Sequence, residues 1–142
     1  MTEMRDTPAN AASDLTWLLD GFRNDVHGVE AVLIVSTDGR WTHRSTGLRD
    51  EDAEHLAAVT SGAYSLMRGA DAYLGGNGHV HQQVAQLSRH TFFVTSAAEN
   101  SILAVITGSD ADAGLVGHRM ALLASQAGKY LGTETRTPDT AV

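Results

Sequence analysis

The chain has 142 residues, of which 42% are hydrophobic and 19% charged, a composition typical of one compact domain with its own apolar core. Its net charge of -7 and its scattered basic residues argue against a protein that binds nucleic acid, because phosphate contacts need clustered Lys or Arg. The absence of cysteine excludes disulfides, thiolate metal sites and a cysteine nucleophile, which suits a cytoplasmic protein.

Both ends of the sequence are predicted to be disordered tails. Residues 1–12 are polar and contain Pro8, and residues 133–142 are rich in Thr, contain Pro138 and show no periodicity. The folded domain is therefore expected to span residues 13–132. No apolar run is long enough for a membrane span, and residues 1–12 lack the apolar region of a signal peptide, so we expect no membrane insertion.

The first part of the domain is predicted to be a helix followed by a β-hairpin. Ser13 is a candidate N-cap, and Gly28 is a candidate stop for this helix. Its apolar stripe consists of Leu15, Leu18, Leu19, Phe22 and Val26. A continuous β-branched run at residues 29–36 predicts a strand, turn residues follow, and residues 41–45 alternate as the second strand of a hairpin.

Residues 50–74 are predicted to form one long helix that carries two apolar stripes. The first stripe is expected to lie on the core and consists of Leu56, Val59, Ala63, Leu66 and Ala70. The second stripe contains only small residues, namely Ala58, Gly62, Ser65, Gly69 and Ala72. Each glycine costs about 1 kcal/mol relative to alanine inside a helix, so a compensating contact is expected. Small side chains let another backbone approach closely, which predicts a seam for the same helix of a second subunit; a solvent-facing, alanine-rich side is the alternative.

The last part of the domain is predicted to contain three strands and a helix. After a glycine-rich break, residues 79–87, 91–96 and 101–107 have the composition of strands separated by short polar turns. A final helix is expected to begin at Ser109, with Asp112 in a capping box, and to end at Gly132. Its predicted buried stripe is Val116, Met120, Leu123, Ala127 and Leu131. The order α-β-β-α-β-β-β-α with hairpin-length links predicts an α+β domain with an antiparallel sheet.

No catalytic or cofactor-binding motif is found in the sequence. His79 and His81 are two residues apart on a predicted strand, as a metal pair would be, but neither cysteine nor an HExxH spacing is present, so polar edge-strand histidines are the preferred interpretation. The glycine-rich residues 75–78 follow a helix and precede a strand, which is the reverse of a phosphate-binding loop. We therefore expect no cofactor, no metal and no enzymatic activity of the chain itself.

The sequence resembles the roadblock/dynein light chain superfamily, and in particular the small actinobacterial roadblock proteins associated with Ras-like GTPases. The matching segments are residues 18–19, 26–29, 35–39, 52–58, 68–70, 103–105 and 111–116. None of these segments is specific alone, but their order and spacing cover the whole domain between Leu15 and Leu131. The resemblance implies a five-stranded antiparallel sheet flanked by helices.

The resemblance also implies a homodimer that binds a protein partner. In this superfamily the long helices pair across a two-fold axis and the third strand pairs with its mate, which here corresponds to residues 53–74 and 79–86. The expected interface residues are Ala58, Gly62, Ser65, Gly69, Ala72, Val80, Gln82 and Val84. The implied partner is a small Ras-like GTPase, which the dimer would scaffold or activate without an arginine finger.

Three residues are candidates for partner contact. Tyr64 belongs to neither stripe of the long helix and is the best aromatic candidate for a surface contact, while Arg49 and Arg68 could reach a partner. Two alternatives remain open at this point. One is a small-ligand sensor module of the PAS or GAF kind, and the other is a scaffold for a histidine-kinase-like protein.

Overall fold

The computed structural model describes residues 14–141, with side chains through Gly132. The described residues form three helices and a five-stranded antiparallel sheet in the predicted order, which confirms the α+β fold class. The elements are α1 (Thr16–Asp25), β1 (Val29–Ser36), β2 (Trp41–Arg44), α2 (Asp50–Tyr73), β3 (Gln83–Gln86), β4 (His90–Ala98), β5 (Ser101–Gly108) and α3 (Ala113–Ala141). The predicted N-terminal tail, residues 1–12, and the candidate cap Ser13 lie outside the described residues.

The strand order β2-β1-β5-β4-β3 places β1 and β5 in the centre of the sheet and β2 and β3 at its edges. Successive side chains of a strand point to opposite faces, so a central strand covered on both faces must be apolar throughout. Val32 and Ile34 of β1 pack on one side of the sheet, whereas Leu33 and Val35 pack on the other. The continuous apolar run that marks β1 in the sequence thus reflects helices on both faces.

Helices α1 and α3 cover one face of the sheet, and their predicted stripes are confirmed. All five stripe residues of α1 and all five of α3 are buried in one cluster with Phe93 and Leu103. Close approach requires glycine at Gly128, since a Cβ there would collide with the carbonyl oxygen of Ala97 at the end of β4. Gly28 has φ +90°, and a Cβ there would lie 2.6 Å from the Cβ of Ala111.

Helix α2 covers the opposite face, but not through the predicted stripe. Its buried residues are Ala53, Ala57, Thr60 and Tyr64. Of the larger aliphatic residues expected on the core, Leu56 is partly buried and packs against the cluster of Ala53 and Ala57, but Val59 and Leu66 are 43% and 72% exposed. Small residues bring the helix axis close to the sheet, and the Thr60 hydroxyl is satisfied inside the helix because it donates to the carbonyl oxygen of Leu56 at 2.7 Å. The predicted core stripe of Leu56, Val59, Ala63, Leu66 and Ala70 was therefore wrong for Val59, Leu66 and Ala70, which are exposed, whereas Leu56 does contact the core.

Several element boundaries also differ from the prediction. Strand β3 begins at Gln83 and not at residue 79, because the backbone of His79 and His81 bonds to the side chains of Asn77 and Thr95 and not to the backbone of the neighbouring strand. Helix α3 begins at Ala113 and not at Ser109, and Asp112 caps it by accepting a hydrogen bond from the Leu115 amide at 3.1 Å.

The described chain begins just before α1 and ends with α3. The bounds of α3 continue past Gly132 into the segment for which the sequence predicts a C-terminal tail, so Gly132 is not the helix stop. At the other end, Asp14 accepts a hydrogen bond from the Thr16 amide at 2.9 Å in the first turn of α1, and this bond lowers the pKa of the Asp14 carboxyl below its usual value. Within the described part of the chain, no helix has both the length and the apolar character needed to cross a membrane.

Candidate interaction surface

The outward face of α2 carries apolar side chains that none of the described residues covers. Val59, Gly62, Leu66 and Gly69 follow the spacing of one helix face, and all four are exposed. This face lies opposite the buried residues of the helix, so the two stripes predicted from the sequence adjoin here. Single exposed apolar side chains are normal on the surface of a monomer, whereas a contiguous apolar patch indicates an interaction site. We call this set the α2 outer face.

The small residues of the second stripe are open to solvent in the single chain. All five, namely Ala58, Gly62, Ser65, Gly69 and Ala72, are exposed. A Cβ built on Gly62 or Gly69 meets no atom within 4 Å. The glycines are therefore not required by packing within the chain, and their role in a seam between two chains stays a prediction.

Strand β3 leaves one edge of the sheet unpaired in the described chain. It pairs only with β4, and Val84 is 48% exposed. An unpaired edge offers backbone amide and carbonyl groups to another strand. Of the other interface residues expected on this strand, Gln82 donates a hydrogen bond to the Gly117 carbonyl, and Val80 is buried beside Tyr64. Val80 thus belongs to the core of the chain rather than to an exposed edge, because the chain turns inward before β3 begins.

The three partner-contact candidates occupy different environments. Tyr64 is only 8% exposed and packs with Val80, so most of its ring lies in the core, and its role as a partner contact stays a prediction. Arg68 is exposed, and its guanidinium carbon lies 6.0 Å from the centre of the Tyr64 ring. Arg49 precedes α2, and its Nε lies 3.2 Å from Asp52. Tyr64 and Arg68 therefore belong together, whereas Arg49 is at the other end of the helix.

Two aspartates at the start of α2 form ion pairs with arginines. Asp50 lies 2.5 Å from the Arg44 guanidinium, and Asp52 bonds to Arg49. No side-chain hydrogen bond caps this end of the helix. Carboxylates at this end of a helix interact favourably with the positive end of its dipole, and the pair of Asp50 with Arg44 also joins α2 to β2.

Histidine side chains form pairs but no larger clusters of metal ligands. The rings of His79 and His81 are edge to face with their centres 4.4 Å apart, and His90 lies 3.2 Å from Glu30. In the part of the chain that the structure describes, no three His, Cys, Asp or Glu side chains are grouped to hold a metal ion.

An exposed apolar helix face beside an open sheet edge is typical of a domain that binds another protein chain. The match to the family model of the Roadblock/LC7 domain covers residues 15–107, and the chain belongs to this family. The roadblock family assigned from the sequence is thereby confirmed, and membership supports a regulatory or binding role.

Solved structures agree with this assignment. A Roadblock/LC7 domain from Streptomyces avermitilis is 37% identical, with a TM-score of 0.76 over 83% of this chain and 98% of that one. MglB from Myxococcus xanthus has a TM-score of 0.75 at 20% identity, covering 84% of this chain and 95% of that one. An MglB with a tetrameric arrangement has a TM-score of 0.74 at 16% identity, covering 89% of this chain and 92% of that one. A comparison with curated protein sequences finds no match.

Proposed function

We propose that the chain forms a homodimer that regulates or scaffolds a small Ras-like GTPase and does not itself hydrolyse GTP. The observation that carries the dimer is the α2 outer face, where Val59 and Leu66 are exposed beside two glycines. Pairing this face with its copy would bury the aliphatic side chains, and the glycines would let the two backbones approach. A two-fold axis places the same patch on both sides, as self-complementary interfaces require.

The open edge of β3 supports the same arrangement. Gln83 of β3 donates a hydrogen bond to the Ala63 carbonyl of α2, so the edge strand and the long helix are next to each other at this point. A second copy could then contact both elements at once, with β3 adding to its mate as an extra strand. The expected interface includes Val84 and Gln82 of this strand region together with the small residues of α2.

Replacing Leu66 by Glu tests the dimer directly. A charge at this position costs little in the isolated chain, where the side chain is already exposed, but it cannot be buried against a second copy. Light scattering with size-exclusion chromatography should show a dimer for the unmodified chain and a folded monomer for Leu66→Glu. The matched control is Leu122→Glu, since Leu122 is also exposed but lies on α3, across the sheet. A dimer that survives Leu66→Glu would remove the α2 outer face from the interface.

The GTPase-regulating part of the proposal is supported by family membership and by the resemblance to roadblock proteins associated with Ras-like GTPases. A regulator can shift a switch protein only by binding its two nucleotide states with different affinity. We therefore expect the dimer to bind a cognate Ras-like GTPase more tightly in its GTP state than in its GDP state. Equal affinity for both states would reduce the role to a passive scaffold.

The proposed action on the GTPase does not use an arginine finger. Arg49 is paired with Asp52, and Arg68 lies against Tyr64 on the helix surface. Single-turnover hydrolysis with Arg49→Ala and Arg68→Ala should lose far less than the factor of about 10³ to 10⁵ that a finger supplies. A collapse of the rate with either variant would identify a finger. Calorimetry with GTP and magnesium on the chain alone should show no binding, because no Walker-type loop is present.

Of the two alternatives from the sequence, the small-ligand sensor module is set aside and the histidine-kinase-like partner is kept as a proposal. A PAS or GAF fold is set aside because the family is that of the roadblock domain. Binding of a histidine-kinase-like protein stays a further proposal. Because the dimer would occupy the α2 outer face, such a partner would have to bind another surface.

A further inference from the structure

A polar pocket lies at one end of the sheet, where α2, the loop after it and two hairpin turns meet. Its volume is about 430 Å³, which falls within the range of about 300–1,000 Å³ that is usual for small-molecule sites. Its walls include Tyr64 and Arg68 of α2, Asn77 of the following loop, and Ser96 and Ser101 at the ends of β4 and β5. Elements far apart in sequence thus bring several hydrogen-bonding side chains to one place.

The largely buried ring of Tyr64 borders this pocket. Its ring packs against Val80, Val94 and Ile102, and the residue is more than nine-tenths buried. Its hydroxyl has no hydrogen-bond partner among the described residues and is not one of their fully buried unpartnered atoms, so it is open to solvent. Because Tyr64 also lines the pocket, its hydroxyl is available to a bound molecule.

The walls of the pocket are held in place by their own hydrogen bonds. The Thr37 amide donates to the Asn100 carbonyl at 3.1 Å, which joins the turn after β1 to the turn between β4 and β5. The His79 amide donates to Asn77 Oδ1 at 3.0 Å, so the side-chain NH₂ of Asn77 remains as a donor. The site is therefore organised before any ligand arrives, which lowers the entropic cost of binding.

Two opposite charges line the pocket without pairing with each other. Arg68 and Glu99 both border it, and no ion pair joins them in the described part of the chain. Asp71, one helical turn after Arg68, is engaged instead with the loop, where it accepts a hydrogen bond from the Gly78 amide at 2.8 Å. A positive and a negative group that face one space without touching are complementary to a molecule that carries both charges.

We propose that this pocket binds a small zwitterion such as a free α-amino acid. Arg68 and the Tyr64 hydroxyl bind its carboxylate, the hydroxyl groups of Ser96 and Ser101 bind its polar atoms, and Glu99 binds its ammonium group. The site lies beside the buried side of α2 rather than on the α2 outer face. It does not depend on the proposed regulation of a GTPase.

The test is a nuclear magnetic resonance titration of the full-length ¹⁵N-labelled chain with each of the standard L-amino acids. At least one should produce saturable shifts of the backbone amides of Gly78, His79, Asn100 and Ser101. Its N-acetyl derivative, which lacks the ammonium group, and its carboxamide, which lacks the carboxylate, should each bind about tenfold more weakly or not at all. Arg68→Gln and Glu99→Gln should weaken binding by a similar factor, and Tyr64→Phe should weaken it while the ring packing is kept.

Matched controls are Arg89→Gln and Glu54→Gln, which change exposed charges outside the pocket and should leave binding unchanged. The spectra themselves show whether each variant is folded. The proposal is overturned if no amino acid gives saturable shifts at these amides. It is equally overturned if the acetylated or amidated derivative binds as well as its parent, or if Arg68→Gln and Glu99→Gln bind as well as the unmodified chain.

Discussion

The side chain of Gln83 joins the edge strand β3 to α2, because its Nε2 donates a hydrogen bond to the carbonyl oxygen of Ala63 at 3.2 Å. The other terminal atom, Oε1, is buried and has no hydrogen-bond partner among the described residues. Gln83 thus links the edge strand to the long helix. Its site needs a hydrogen-bond donor, and none of the described residues there would neutralise a negative charge.

Replacing Gln83 by Glu should destabilise the chain by about 2 kcal/mol or more at neutral pH, since it removes the donor and buries an unpaired charge. Burial raises the pKa of the new carboxyl above its unfolded value. The penalty is therefore complete above the folded-state pKa and disappears as the pH falls below the unfolded one, where the protonated acid can donate to Ala63. Urea unfolding across this pH range measures the effect, and Gln86→Glu, exposed on the same strand, is the control. Equal losses of unfolding free energy for both variants at all pH values would contradict the prediction of a buried charge at residue 83.

Replacing Gly62 by Ala should have opposite effects on the single chain and on the dimer. The methyl group meets no atom within 4 Å in one chain, so a monomeric Leu66→Glu background should gain about 1 kcal/mol from helix propensity. In the dimer the same group obstructs the close approach of two helices, and Leu at this position should obstruct it more. Dilution experiments on the dimer and chemical unfolding of the monomeric background separate the two effects. Gly21→Ala in α1 is the control, and a dimer strengthened equally by both changes would remove Gly62 from the seam.

Replacing Gly128 by Ala should lower the free energy of unfolding by about 1–3 kcal/mol, because α3 must move away from the Ala97 carbonyl oxygen to admit a methyl group. Gly132→Ala, in the same helix with open space around it, should be neutral or stabilising by up to about 1 kcal/mol. Thermal unfolding of both variants would show the contrast. A stabilising Gly128→Ala would mean that α3 lies farther from β4 than described.

Replacing Asp14 by Ala should destabilise the chain by about 0.5–1 kcal/mol at neutral pH, through loss of the hydrogen bond to the Thr16 amide. That bond lowers the pKa of Asp14 in the folded state, so its contribution is present above the unfolded pKa and is lost as the pH falls through the folded one. The difference between the two proteins should accordingly shrink in acid. Asp25→Ala, at the far end of α1, should show no such loss, and a pH-independent difference for Asp14→Ala would rule out the ionised carboxylate as its source.

The sequence was sufficient for the fold because periodicity and turn chemistry agree in most elements. The stripes of α1 and α3 consist mainly of large apolar residues at helical spacing, so the sequence indicates a single buried face for each helix. In α2 the same rule failed. It assigned Val59 and Leu66 to the core, whereas the sheet is contacted by Ala53, Ala57 and Thr60. Hydrophobicity alone cannot distinguish a face buried within the chain from one that is free to contact a second chain.

The surface features were predictable only in part. The exposure of Gly62 and Gly69 follows from the second stripe, but the burial of Tyr64 does not, because it depends on the loop that brings Val80 beneath its ring. The pocket around Arg68 was also missed. Its side chains come from four separate segments, and no spacing along the chain indicates that Ser96 and Ser101 lie beside α2.

The small residues that attach α2 to the sheet anchor this helix less firmly than the large apolar side chains of β1 and β5 anchor the central strands. Alanine and threonine side chains bury little apolar area, so local opening of α2 should cost less free energy than opening of the central strands. Its amides should exchange with deuterium before those of β1 and β5, and proteases should cleave it first. If a second copy covers the α2 outer face, this opening is suppressed by mass action. Resistance to proteolysis would then rise with the concentration of the protein itself, so that the lifetime of each chain in a cell would depend on how many others are present.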